Sequence, residues 1–293
     1  RRLSIDIDII VPKSVKIAEI NEILKNIVRT SSFTRYEEQE RHLSQIPKAH
    51  FKLFYESPFN QSEVYVLLDV LFEENPYSRL DSTDIVCPFI DTIPPNVTVK
   101  VPSIADILGD KLTAFAPNTT GILYDKEKEM EIIKQLFDIE SLFDQLSTTN
   151  GVKDTFIRCA EQELNYRQLT EMNYENVLDD IFKTAIIIGG RGSFDKETFL
   201  KLENGIRRIK SHIINRNYIV EEAVVSASKA AYLSMLLKYR QEDIEKYHPK
   251  ETLPELEGVP LFKKMAKIKN FSPEAYYYFA KAQELIRRSE KTK

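Results

Sequence analysis

Asp6 and Asp8 are the side chains whose type and spacing best suit chemistry. They alternate with Ile5, Ile7 and Ile9 in the first segment of the chain, residues 2–11. At a strand period of two, residues i and i+2 point to the same side, so two carboxylates project together beside Ser4. Like charges at that distance are unfavourable unless a cation or strong donors lie between them. Hard divalent cations such as Mg²⁺ (or Mn²⁺) take oxygen ligands of this kind. Two such ions about 4 Å apart can activate an attacking oxygen and stabilise a leaving pyrophosphate. Asp is a poor strand former, and departures from local propensity tend to mark functional sites. The plainer reading is the wet face of an amphipathic strand whose isoleucines pack on a core.

A third carboxylate is expected from a neighbouring strand. Asp69 is the one charge inside the apolar run 64–72. If buried, it needs a metal, a cation or a proton; the simpler alternative is a backbone amide or a lysine such as Lys52. Lys111 lies at the edge of an apolar helical stripe, where it either snorkels to water or meets an anion; Asp110 beside it reads as solvated. Asp138 stands four residues after Lys134, a spacing that by itself predicts a surface ion pair. Tyr124, Asp125 and Lys126 precede that helix as further candidates.

These side chains require a scaffold. Period-two alternation predicts strands over 2–11, 48–55 and 63–72, the last covered on both faces. Helical spacing appears over 15–31 and 103–115, with Ser103 as N-cap, then over 126–147, 152–170, 173–188, 195–214, 218–241 and 272–290. The expected organisation is a mixed α/β domain over 1–120 followed by a helical domain over 121–293. The Gly189–Ser193 stretch follows a helical pattern and lacks the Lys-Ser/Thr ending of a phosphate loop. It reads as a helix end, with Ser193 or Asp195 starting the next helix.

With 293 residues, 42% hydrophobic and 29% charged, and a net charge of −4, the chain has the composition of an ordinary globular protein and no global field for nucleic acid or membrane. No apolar run approaches the ~20 residues of a membrane helix. Cys87 and Cys159 form no zinc spacing and fit a reducing cytoplasm. His42, His50, His212 and His248 form no ligand spacing. Residues 259–293 are locally basic, with nine Lys or Arg against three Glu and Tyr276, Tyr277, Tyr278 and Phe279 interleaved. With Arg207, Arg208 and Lys210, they are candidates for a phosphate backbone, or else a solvated helix face over core tyrosines.

The motif Arg2-x-Ser4-x-Asp6-Ile7-Asp8 resembles that of the AbiEii/AbiGii-type nucleotidyltransferase toxins of type IV toxin–antitoxin and abortive-infection systems, within the DNA polymerase β-like superfamily. Two later segments agree in order and spacing: Asp106–Ala114, with its Lys111-x-x-Ala114 core, and Lys134–Asp144, with Lys134, Asp138 and Leu142. The resemblance covers about residues 1–145. It implies an α+β fold, a polymerase β-like mixed sheet with helices followed by a helical C-terminal domain. It implies transfer of a nucleotide from a nucleoside triphosphate, with tRNA as an acceptor in some relatives and a cognate antitoxin as partner. By position, Asp6 and Asp8 correspond to the metal ligands, with Ser4 beside them. Lys111 corresponds to the lysine at the triphosphate, and Asp138 to the acidic residue near the attacking hydroxyl. The family places a glycine-rich hairpin roughly ten residues before the aspartates, where backbone N–H groups cradle phosphates. The sequence starts at Arg1, inside the strand, so that hairpin is expected upstream.

Two other readings of the same residues stand beside this one. A metal-dependent nuclease would use the same carboxylates without a triphosphate. A non-catalytic RNA- or protein-binding module would leave the acidic strand purely structural.

Overall fold

The computed structural model describes residues 6–39, 46–86, 91–124, 127–214, 216–250, 252–255 and 264–291. The chain divides into two units, Arg2–Pro76 and Tyr77–Lys293.

The first unit is a mixed sheet with one helix. Strand β1 (Asp6–Val11) is followed by helix α1 (Ile17–Thr30), then β2 (Arg35–Glu38), β3 (Lys48–Glu56) and β4 (Glu63–Phe72). The strand order is β1-β4-β3-β2, with β1 parallel to β4 and the other pairs antiparallel. Glu19 starts α1 by accepting from the Lys16 backbone N–H at 2.9 Å. The helix then buries Ile20 and Leu24 against Ala49, Phe51 and Leu53 of β3 and Val70 of β4. This is the alternation expected of β3, since Lys48, His50 and Lys52 fall on the opposite face.

Two expectations about these strands fail. Ile7 and Ile9 do not sit in a core: they are 52% and 37% exposed. They share a face with Val70, but β1 is the edge of the four-strand order, and α1 fills the groove over β3 and β4 instead. Nor is β4 covered on both faces. Only Val70 is fully buried along it, and Tyr65 is largely exposed.

The second unit begins with a two-stranded ribbon, β5 (Leu80–Asp84) and β6 (Thr98–Pro102). Seven helices follow: α2 (Ile104–Ala114), α3 (Glu129–Phe143), α4 (Val152–Tyr166), α5 (Tyr174–Gly189), α6 (Lys196–Ile209), α7 (Val220–Lys238) and α8 (Pro273–Lys291). Every residue of α7 from Ser226 to Leu237 is buried, as expected of a helix packed on all sides. Its Ala and Ser residues let α5 and α8 approach. Helix α2 packs on α4 so closely that a Cβ on Gly109 would lie 2.6 Å from the Val152 carbonyl oxygen. Residues 104–114 are thus structurally part of the helical unit, and the division at Pro76–Tyr77 falls earlier in the chain than residue 120.

Local signals hold well here. Ser103 caps α2 by accepting from the Asp106 N–H, and Asp195 caps α6 by accepting from Thr198 N–H at 3.0 Å. Gly189 ends α5, where Phe279 and Met265 leave no room for a side chain. Tyr276, Tyr277, Tyr278 and Phe279 are all buried, Phe279 completely, and form part of the helical core. They cannot stack on RNA bases.

Candidate active site

In the sheet unit, β1 and β4 bring the acidic residues together. Asp8 is the register partner of Asp69, Asp6 pairs with Leu67, and Asp69 in turn pairs with His50 of β3. Paired residues share a face, with Cβ atoms roughly 5 Å apart. Asp6, Asp8, Asp69 and His50 therefore occupy one face of the sheet, opposite α1. Lys48 and Lys52 lie on the same face, and the Lys52 ammonium sits 4.4 Å from the centre of the Tyr65 ring. Ser4 lies outside the described residues.

Asp69 is not buried as expected. Its side chain is 32% exposed, and its Oδ1 lies 2.7 Å from Nδ1 of His50. Neither a backbone amide nor Lys52 but a histidine satisfies it. Sequence spacing could not single out His50, because its partner is 19 residues away in the chain and is fixed only by strand register.

The helical unit holds the second pair of candidates. Lys111 on α2 and Asp138 on α3 form an ion pair, Nζ to Oδ2 3.5 Å, with both side chains about three-quarters buried. Lys134, the partner suggested by spacing, instead binds Glu131 at 2.9 Å. Asp110 accepts from the Tyr77 hydroxyl at 3.3 Å and is not simply solvated. Tyr124 turns toward α5, its hydroxyl 3.1 Å from Thr184 Oγ1, and burial raises its phenol well above the usual range. Asp125 and Lys126 lie outside the described residues. Cys159 is buried, which pushes its thiol up and makes it inert; Cys87 lies outside the described residues.

Other charges in this unit serve the fold. Asp106, 1% exposed, accepts from Ser78 N–H (2.7 Å), Arg79 N–H (3.2 Å), the Ser103 hydroxyl (2.5 Å) and the Thr155 hydroxyl. Burial opposes its charge, but these donors outweigh burial and hold the carboxyl below its ordinary value. Glu140, 4% exposed, accepts from Arg216 at 2.5 Å and Ser226 at 2.7 Å. Lys229 bridges Asp144 at 2.8 Å and Glu274 at 3.0 Å. In the basic C-terminal region, Lys281 binds Glu245 at 2.6 Å and Arg288 binds Glu284 at 2.5 Å. Arg208, Lys210, Arg287 and Lys291 are exposed.

The acidic face suits a hard divalent cation in donor chemistry, since its carboxylates offer oxygen alone. Among the described residues, no group of three or more His, Cys, Asp or Glu is gathered closely enough to hold a metal. Mg²⁺ is commonly held by one or two carboxylates plus substrate phosphates and water, not by an all-protein cage. A face that contributes carboxylates without closing around the ion fits that pattern. No described helix is long and apolar enough to cross a membrane.

No curated protein matches the chain. The family model described as the nucleotidyl transferase AbiEii toxin of type IV toxin–antitoxin systems matches residues 1–244, and with this α+β fold the chain belongs to that family of nucleotidyltransferase toxins.

Proposed function

We propose that this protein transfers a nucleotide from a nucleoside triphosphate to the end of an RNA, with tRNA as the acceptor, in a divalent-metal-dependent reaction. The observation that carries the reading is the shared sheet face of Asp6, Asp8 and Asp69, fixed by the Asp8–Asp69 register. When bound there, Mg²⁺ or Mn²⁺ supplies charge neutralisation for the triphosphate and the attacking oxygen. Asp6 and Asp8 hold that ion as principal ligands, and Asp69 is the third. Ser4 lies next to them in sequence, where its hydroxyl is a donor for a phosphate oxygen.

Lys111 offers a compact ammonium to the triphosphate. Asp138 orients that ammonium through their ion pair and stands as the group that receives the proton of the acceptor hydroxyl. Proton removal makes the hydroxyl oxygen a nucleophile toward the α-phosphorus; the new P–O bond forms as the bond to pyrophosphate breaks. The exposed Arg208, Lys210, Arg287 and Lys291 provide positive charge for the acceptor backbone, which makes acceptor binding salt-dependent. The family relationship supports a cognate antitoxin as protein partner.

The test is Mg²⁺-dependent incorporation of each labelled nucleoside triphosphate into total tRNA by the full-length protein, beside an Asp6→Asn/Asp8→Asn control. Incorporation that disappears in the control supports the reading and names the nucleotide. Intact, unlabelled tRNA with every nucleotide would sink tRNA as acceptor. Cleavage of tRNA without added triphosphate would point to a nuclease.

A further inference from the structure

We infer that His50 is a positioning residue of the transfer reaction, holding the Asp69 carboxylate in the orientation that lets it share a cation with Asp8. This rests on the reading of Asp6, Asp8 and Asp69 as the cation-binding face.

Three observations support it. Asp8, Asp69 and His50 form one row across three adjacent strands, on one face. The imidazole Nδ1 lies 2.7 Å from Asp69 Oδ1. A carboxylate only accepts, so Nδ1 carries the hydrogen. The His50 side chain is 13% exposed, less than half the exposure of Asp69 at 32%. The ring is thus packed into the sheet surface while the carboxylate it holds remains accessible.

The geometry has a direct consequence. An aspartate on a strand can rotate about its side-chain bonds, and beside Asp8 it would turn away from the like charge. Fixing Oδ1 from the β3 side leaves Oδ2 as the oxygen available on the Asp8 side. Metal-ligating carboxylates are commonly held by such outer hydrogen bonds, whose loss costs about 10–100-fold in metal affinity. His50 touches neither substrate nor reacting atoms in this role; it acts through Asp69.

The experiment is Mn²⁺ titration of the full-length protein followed by electron paramagnetic resonance, with a non-hydrolysable nucleoside triphosphate present and the fold monitored by circular dichroism. His50→Ala is expected to raise the Mn²⁺ Kd by about 10–100-fold. His50→Asn, whose amide N–H can reach the same oxygen, is expected to stay within about threefold of the wild type. If His50→Ala does not fold, His50→Phe keeps an aromatic ring without the donor and is expected to weaken Mn²⁺ in the same way. Wild-type affinity in the folded donor-less variant, with Asp69→Asn weakened, would overturn the role of His50. Wild-type affinity in Asp69→Asn would overturn it too, by removing Asp69 as a ligand. An Asp6→Asn/Asp8→Asn protein that binds Mn²⁺ like the wild type would instead overturn the acidic face itself.

Discussion

The charges of the sheet unit and those of the helical unit are treated oppositely by the fold. Asp6 and Asp8 stand exposed on an edge strand, and Asp69 is one-third exposed beside a single histidine. Asp106 and Glu140 are almost completely buried, and each is surrounded by donors. A buried charge left unpaired would cost several kcal/mol, so these carboxylates are saturated with partners that fix the backbone around them. Saturation leaves them nothing to offer a substrate. The sheet carboxylates are the reverse: poorly screened from one another and accessible, they contribute little to stability and are available for chemistry. Lys111 and Asp138 lie between these extremes, paired at 3.5 Å but neither sealed nor fully exposed.

The sharpest way to break this comparison is Asp6→Asn/Asp8→Asn. Nucleotide incorporation should fall by about 10³-fold or more, the equivalent of several kcal/mol of lost transition-state stabilisation. The thermal midpoint should hold or rise, because a like-charge repulsion is removed. A protein that instead unfolds would place these aspartates with the structural carboxylates.

Glu140→Ala should do the opposite. It strands Arg216 beside a buried pocket and should cost about 3–5 kcal/mol in denaturant unfolding, whereas a loss under about 1 kcal/mol would show the network to be dispensable.

Lys111→Ala sharpens the middle ground. Incorporation should drop about 10²-fold, with a stability change within about 1 kcal/mol for a partly exposed pair. The reverse pattern, unchanged incorporation with a large stability loss, would make the pair structural.

The pH dependence separates smaller effects. Asp106 is held below its ordinary value in the fold, so its contribution is present above the unfolded carboxyl pKa near 4 and is lost as pH falls through the folded value. Asp106→Asn should therefore flatten the acid limb of the stability curve, measured by urea unfolding between pH 2 and 6.

Lys246 provides the smallest test. Burial, reinforced by Lys229 and opposed by Asp144, lowers its ammonium to about 8. Between that value and the unfolded value near 10.5, the unfolded chain binds more protons, so stability should rise with pH. The wild type should gain on Lys246→Met across that window, and parallel curves would remove the effect.

Much of this protein was legible without coordinates because the relevant forces are local. The spacing of Asp6 and Asp8 fixed their common side, the apolar periods located all eight helices found among the described residues, and Ser103 and Asp195 marked two helix starts through bonds three residues long. The Gly189–Ser193 stretch was recognisable as a helix end for the same reason. The short strands β2, β5 and β6 were not foreseen. Segments such as Arg35–Glu38 and Leu80–Asp84 carry charge and little apolar pattern, and they become strands through partners elsewhere in the chain.

What only the tertiary structure decided is which side chain meets which. Strand order put β1 at an edge and left Ile7 and Ile9 outside the core. Register gave Asp69 to His50 and set it beside Asp8. Helix packing gave Asp138 to Lys111 and turned Tyr276–Phe279 inward. Each of these contacts depends on how distant segments align, and period, propensity and capping act only over a few residues; pairings across 19, 27 or 76 positions are settled by the packing of the whole unit.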